Sequence, residues 1–190
     1  MLTFIRIGRI ISSTFIVVGG ICMNSYGCTV SNSILRSANS RGIKMTPLKL
    51  NCLVYLVYSY YTCAYPNHSN VFRYGKLFDE SFTKTALGPV VPTNDFFFSS
   101  FGADPISCYA MDAKGTVVCN DDENFNASLS RVFETYGDED DISLLGVIEA
   151  GKRYSRLENG DTITDNDIAV DELLRKSARV GLYSYSKRLL

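Results

Sequence analysis

The first 78 residues carry no aspartate and no glutamate, and all 20 acidic residues lie at Asp79 or beyond. Up to Ala64 the only charges are basic: Arg6, Arg9, Arg36, Arg41, Lys44 and Lys49. The rest of the chain carries 13 basic and 20 acidic residues. The net charge of −1 therefore hides two different stretches of polymer. A basic, apolar, acid-free leader is the pattern of targeting segments, and an acidic, mixed remainder is the pattern of a soluble domain. The expectation is a small exported protein.

Two apolar runs lie in the leader. Ile10 to Cys22 follows Arg6 and Arg9, and Ser25 and Gly27 stand at −3 and −1 of a cut before Cys28. Leu50 to Tyr61 follows Met45 and Lys49 and ends in Thr62-Cys63-Ala64. From Met45 it has the parts of a secretory signal cut between Ala64 and Tyr65. This second cut is preferred, with Met45 as the start or residues 1–44 as an upstream extension or first targeting segment. On that division 45–64 is the signal and 65–190 a single globular domain. The alternatives are the cut near Cys28, a leader retained at the membrane, and a buried strand at Leu50 to Tyr61. Neither run reaches the ~18 residues of a spanning helix, so no stable membrane span is expected in the mature form.

Cleavage at Ala64 leaves two of the six cysteines, Cys108 and Cys119. An even number in an oxidising compartment suggests a disulfide. A hairpin over Asp112-Ala113-Lys114-Gly115 that pairs Met111 with Thr116 sets Cys108 opposite Cys119. Two glycosylation triplets, at Asn67 and Asn126, lie beyond the same cut.

Three helices are expected, at Asp79 to Leu87, Asn126 to Tyr136 and Asp167 to Val180. The last has an apolar stripe of Val170, Leu173, Leu174 and Ala178. Strands are expected at Phe96 to Phe101, Ser107 to Met111, Thr116 to Cys119, Leu144 to Glu149, Arg153 to Leu157 and Asp161 to Thr164. Asn159-Gly160 marks a hairpin between the last two, and a short strand at Leu182 to Tyr185 is a further candidate. Asp138 to Asp141 reads as a solvated loop. The fold class is α+β: a helix packed on a predominantly antiparallel, curved sheet with one disulfide.

The residues permit little catalysis. One histidine, His68, excludes a multi-histidine metal site and leaves a triad without a base unless it folds back. No phosphate-binding glycine loop occurs. The acidic runs Asp121-Asp122-Glu123 and Asp165 to Asp167 lack an EF-hand pattern. No cofactor, metal or catalytic residue is assigned. A hydrolase built on Glu134, Glu149 or Glu158 with Arg153 or Arg156 is the alternative. Gly151-Lys152-Arg153 has the form of an amidation and dibasic processing site, which allows a peptide precursor as a further alternative. The acidic mature chain argues against general nucleic-acid binding. Phe96-Phe97-Phe98 must expose at least one ring if extended, which suggests a surface for a protein partner.

Phe72-Arg73-Tyr74-Gly75-Lys76-Leu77-Phe78, ahead of the expected helix, resembles the opening of small ribonuclease-like secreted effectors of plant-pathogenic fungi. Tyr74 stands where that family has a cysteine. Gly102-Ala103-Asp104 and Gly115-Thr116-Val117-Val118 resemble the core of guanyl-specific fungal ribonucleases, with Pro105 where those enzymes carry arginine. The resemblance implies a ribonuclease-like fold without the catalysis. A weaker resemblance links the segments Gly102 to Cys119 and Val147 to Ile163 to the propeller repeat of the chromosome-condensation regulator family. Two such units cannot close a propeller. The expected function is a secreted, non-catalytic interaction module of the effector kind.

Overall fold

The computed structural model describes residues 27–63, 76–110 and 122–186. They form an α+β fold: helices gathered round one buried helix, with a small antiparallel sheet at their side. Helix α1 (Gly27–Ser40) leads to α2 (Pro47–Cys63), strands β1 (Phe82–Thr85) and β2 (Gly88–Val90), and helix α3 (Pro92–Phe98). A 3-10 turn at Ser99–Phe101 follows, then α4 (Glu123–Tyr136) and α5 (Asp141–Glu149). A second 3-10 turn at Tyr154–Arg156, strand β3 (Thr162–Ile163) and α6 (Asp165–Ser186) complete it. Among the described residues no helix is long and apolar enough to cross a membrane.

Helix α2 organises the packing. Apolar residues occupy every face, so it can be satisfied only by burial all round. Residues 52–59 are buried without interruption, and α1, α3, α4, α5, α6 and β2 all pack against it. Tyr55 meets Phe82 edge-on at 5.3 Å and Tyr154 at 6.0 Å. Tyr58 meets Phe78 at 4.9 Å and Phe82 at 5.3 Å. The segment expected as a removable signal is thus the centre of the core, and the expected domain boundary at Ala64 does not follow the packing. Its start is a helix start: Thr46 caps the Lys49 N–H at 3.1 Å and Pro47 takes the first helical position. The buried Lys49 ammonium donates to the carbonyls of Gly137 (2.9 Å) and Glu139 (2.6 Å). It thereby meets the carbonyl of α4's C-cap residue and one in the turn that leads to α5.

The sheet has order β2-β1-β3 and is antiparallel throughout. Asp79 to Leu87 is therefore not a helix. Phe82 is buried and the residues after it half-buried, which suits an edge of the molecule, and two threonines favour the extended chain. Gly88 turns the hairpin at φ 103°, a value that favours glycine. Lys84 directs its N–H to Asp161 and its C=O to the Gly160 N–H. By alternation Thr83 and Thr85 face β2, so Pro89, paired with Lys84, lies with its missing N–H on the open edge. A proline there blunts the edge against further strand pairing. Asn159-Gly160 turns into β3 as expected, with Gly160 at φ 98°.

Four other expected strands are differently folded. Phe96 to Phe101 is the end of α3 and a 3-10 turn, because Pro92 opens a helix and Asp95 sits in its first turn. Leu144 to Glu149 belongs to α5, capped by Asp140 accepting from the Ser143 N–H at 2.7 Å. The acidic run expected as loop supplies that cap. Tyr154–Arg156 is a 3-10 turn, and Leu182 to Tyr185 continues α6. Ser107 to Ala110 has no strand partner. The Asn32 carboxamide instead holds both backbone groups of Ala110 at 2.8 Å. Thr116 to Cys119 lies outside the described residues.

Two helices form close to the expected positions. Helix α4 starts three residues early, with Asp122 as its cap, and buries Phe125, Val132, Phe133 and Tyr136 on one stripe. Helix α6 starts at Asp165, two residues early, and turns another face inward than the expected stripe: Ile168, Ala169, Asp171 and Glu172 are buried, whereas Leu174 is 47% exposed. Thr164 and Asp167 form a reciprocal cap, with the Thr164 hydroxyl 2.6 Å from the Asp167 carboxylate.

Candidate functional site

A groove of about 720 Å³ opens between the start of α2, helix α3 and the β1–β2 hairpin. Leu48 comes from α2, Leu87 and Val90 from the hairpin, and Pro92 from α3, which makes the walls mainly apolar. The exposed Leu87, 67% accessible, stands at the groove's edge. Phe96, 75% exposed, shares a helix face with the lining residues Pro92 and Ser99 by spacing.

Half of the described lining residues are polar, and Asn51 and Asn94 among them are held from behind. The Ser31 hydroxyl donates to Asn94 Oδ1 at 2.6 Å, and Asn94 Nδ2 donates to Asn51 Oδ1 at 3.0 Å. This chain ties α1, α3 and α2 together and ends at Asn51, a lining residue. Asp141 accepts from the Thr46 hydroxyl. Behind α3, Glu80 accepts from the Gly27 N–H (2.7 Å), the Thr93 N–H (2.9 Å) and the Thr93 hydroxyl (2.8 Å). One carboxylate thus satisfies donors at the starts of two helices. Val91 lies so close to Gly27 that a Cβ there would approach its Cγ1 to 2.7 Å. Among the described residues two aspartates, Asp95 and Asp141, line the groove, and no lysine, arginine or histidine does.

The residues singled out from sequence lie elsewhere. Cys108 is a free, exposed thiol, and no disulfide is found among the described residues. Cys119 lies outside them, as do Asn67, His68, Ala64 and Tyr65. The register that set Cys108 opposite Cys119 needed a strand at Ser107 to Met111, and Asn32 has taken its backbone groups instead. Asn126 is half-buried in the first turn of α4, and the buried Ser128 donates to the Asn124 carbonyl at 2.8 Å. Gly151-Lys152-Arg153 is a turn pinned by the buried Asp171, which accepts from the Arg153 N–H at 2.8 Å and the Tyr154 N–H at 2.9 Å. A Cβ on Gly151 would collide with the Asp171 carboxylate.

Glu134, Glu149 and Glu158 are all exposed, on α4, at the end of α5 and in the turn before β3. Glu134 faces Arg131 at 3.8 Å on the surface. The groups considered for calcium serve the fold. Asp122 caps α4 and accepts from Tyr61, and Asp165 accepts from Tyr58 and pairs with Lys76 at 3.3 Å.

The shifted proton affinities belong to buried thiols and phenols of the core and to one exposed helix cap. Burial, helped by Asp141 and Glu149, pushes the Cys52 thiol up to about 12. Burial also raises Cys63 and the phenols of Tyr55, Tyr58 and Tyr154. Backbone and side-chain hydrogen bonds from Ser143 lower Asp140, as befits a helix cap.

Sequence reasoning missed Asn51, Leu87, Asp95 and Asp141 as a group. The signals were present: Thr46-Pro47 and Val91-Pro92 both mark helix starts, and they frame the groove on two sides. No family model, no characterised protein and no solved structure matches this chain.

Proposed function

We propose that this chain is an exported, non-catalytic interaction module that holds a protein partner in the groove between α2, α3 and the β1–β2 hairpin. The observation that supports it is the groove itself: mainly apolar walls, an exposed Leu87 at the edge and a hydrogen-bonded polar backing, with Asp95 and Asp141 as its charged groups among the described residues. General acid–base catalysis needs two groups with proton affinities set apart. A patch of this kind on a small domain is better suited to docking. The likeness to ribonuclease-like effectors adds a functional analogy: Pro105 and Tyr74 replace the arginine and cysteine of those families.

The acid-free leader supports export. Of its two cuts, the one before Cys28 leaves α2 whole and spares all but the first residue of α1. The Cys28 N–H keeps its bond to Thr93 at 3.2 Å. The cut before Tyr65 removes both helices. N-terminal sequencing of exported material is expected to begin near Cys28.

For the groove, the test compares the full chain with Ala103→Trp, which fills the site from an exposed position, against a partner identified by crosslinking. Loss of the partner with the filled groove is expected. Turnover of RNA or glycan that disappears on changing a single carboxylate would overturn the proposal in favour of a hydrolase.

A further inference from the structure

The chemistry of the groove specifies its occupant, and the inference rests on the docking role just proposed. We propose that the groove receives a segment of a partner protein in which a lysine or arginine stands next to an aliphatic or aromatic side chain.

The charge comes first. Asp95 on α3 and Asp141 on α5 line the same groove, and among the described residues no cationic side chain lines it with them. Among the described residues neither enters an ion pair. Two carboxylates facing one apolar-walled space repel each other, and a cation between them lowers the energy of both. A phosphate, a nucleic acid, an acidic peptide or an anionic headgroup meets the same two charges with the opposite result. The apolar part comes next. Leu48, Leu87, Val90 and Pro92 offer a wall for one side chain, and the exposed Phe96 shares a helix face with the lining residues Pro92 and Ser99 by spacing. The footprint is therefore that of a chain rather than of a small molecule.

The backbone of such a segment has a partner too. Asn51, a lining residue, uses its Oδ1 to accept from Asn94, so that the donor it can offer to an acceptor such as a peptide carbonyl is its Nδ2. The segment is held by side chains and not as an added strand, because Pro89 closes the neighbouring sheet edge.

The experiment pans a phage-displayed library of random heptapeptides on the full chain. One selected peptide is then synthesised with a fluorophore, and its binding is measured by anisotropy. Selected sequences should place Lys or Arg beside Leu, Ile or Phe. Each of Asp95→Asn and Asp141→Asn should weaken binding about two- to fivefold, and both together about tenfold. Added salt should weaken the wild type and leave the double variant nearly unchanged. Ala103→Trp and Leu87→Asp, both at exposed positions, should abolish binding while the far-UV spectrum and Tm stay as in the wild type.

Neutral or acidic selected peptides that bind the double Asn variant as well as the wild type would overturn the cationic occupant. If Ala103→Trp still blocked them, the groove would stand as the docking site. Peptides indifferent to both Ala103→Trp and Leu87→Asp, or no enrichment at all, would overturn the groove and the inference with it.

Discussion

Tyr55→Ala tests whether α2 is the centre of the fold. The ring is 1% exposed and packs edge-on against Phe82 of β1 and against Tyr154 in the second 3-10 turn. Removing a buried aromatic ring typically costs about 3–5 kcal/mol, since the transfer term and the cavity term add. The two edge-on contacts, about 0.5–1.5 kcal/mol each, lie within that sum. A domain of this size shifts its Tm by about 2–4 °C per kcal/mol, so the variant should melt roughly 6–20 °C lower. Tyr55→Phe keeps the ring and both contacts and should stay within about 1 kcal/mol of the wild type. The assay is urea unfolding followed by far-UV circular dichroism on the full chain, with the slope checked for two-state behaviour. A loss below about 1 kcal/mol for Tyr55→Ala would refute the central place of α2. It would restore residues 45–64 as a leader dispensable to the domain.

The other predictions concern protons, thiols and a buried cation. Above about pH 9 stability should fall, because the unfolded chain ionises a thiol near 9 and phenols near 10 while burial holds Cys52, Tyr55, Tyr58 and Tyr154 protonated. Their raised values favour the fold below those pH values and cease to do so as pH rises past them; melting temperatures at pH 8 and pH 11 measure the loss. Iodoacetamide with mass-spectrometric mapping should label Cys108 rapidly in the native protein, and Cys28, Cys52 and Cys63 only on unfolding. Labelling of Cys108 only after reduction would bring back the bridge to Cys119. Lys49→Met should cost about 1–3 kcal/mol in the same urea assay, since it strands the carbonyls of Gly137 and Glu139; no loss would mean that water serves them equally well.

What could be read from the sequence was decided by which signals were redundant. Helix α4 carries both an apolar stripe and a capping residue, and it was legible. Helix α6 was legible as a helix, but not by its inward face: Ile168, Ala169, Asp171 and Glu172 are buried while Leu174 is exposed, because the two carboxylates find donors at Arg153, Tyr154 and Ser59. Helix α5 had only the cap. Its apolar run, Ile142 to Ile148, fits a buried strand as well as a helix, and Asp140 was read as part of a solvated run. In α3 the three consecutive phenylalanines suggested a strand, although Pro92 and Asp95 announced a helix. The error at Asp79 to Leu87 ran the other way: Phe82 and Ala86 share a helical face by accident, and only Phe82 is buried. Asn32 holding Ala110 was not legible at all, because the two lie 78 residues apart.

The candidate site was hidden by the reading of a single segment. A secretory signal and a fully buried helix make the same demand of a sequence, an uninterrupted apolar run near a basic residue, because both leave water entirely. They differ at the ends. A buried helix must satisfy its first N–H groups, and here Thr46 and Pro47 do so. Lys49 is the clearest case: in a signal it is a solvated basic flank, whereas here it is 7% exposed and bound to two carbonyls of the turn that joins α4 to α5. Polar residues inside the run also have assigned partners. Ser59 meets Glu172 at 3.2 Å, Tyr58 meets Asp165 at 2.8 Å, and Tyr61 meets Asp122 at 3.2 Å. All three partners are acidic and lie beyond Asp79. The charge asymmetry that suggested two separable polymers therefore has a second cause: the acid-free half supplies hydroxyl donors, and the acidic half supplies the carboxylates that accept from them.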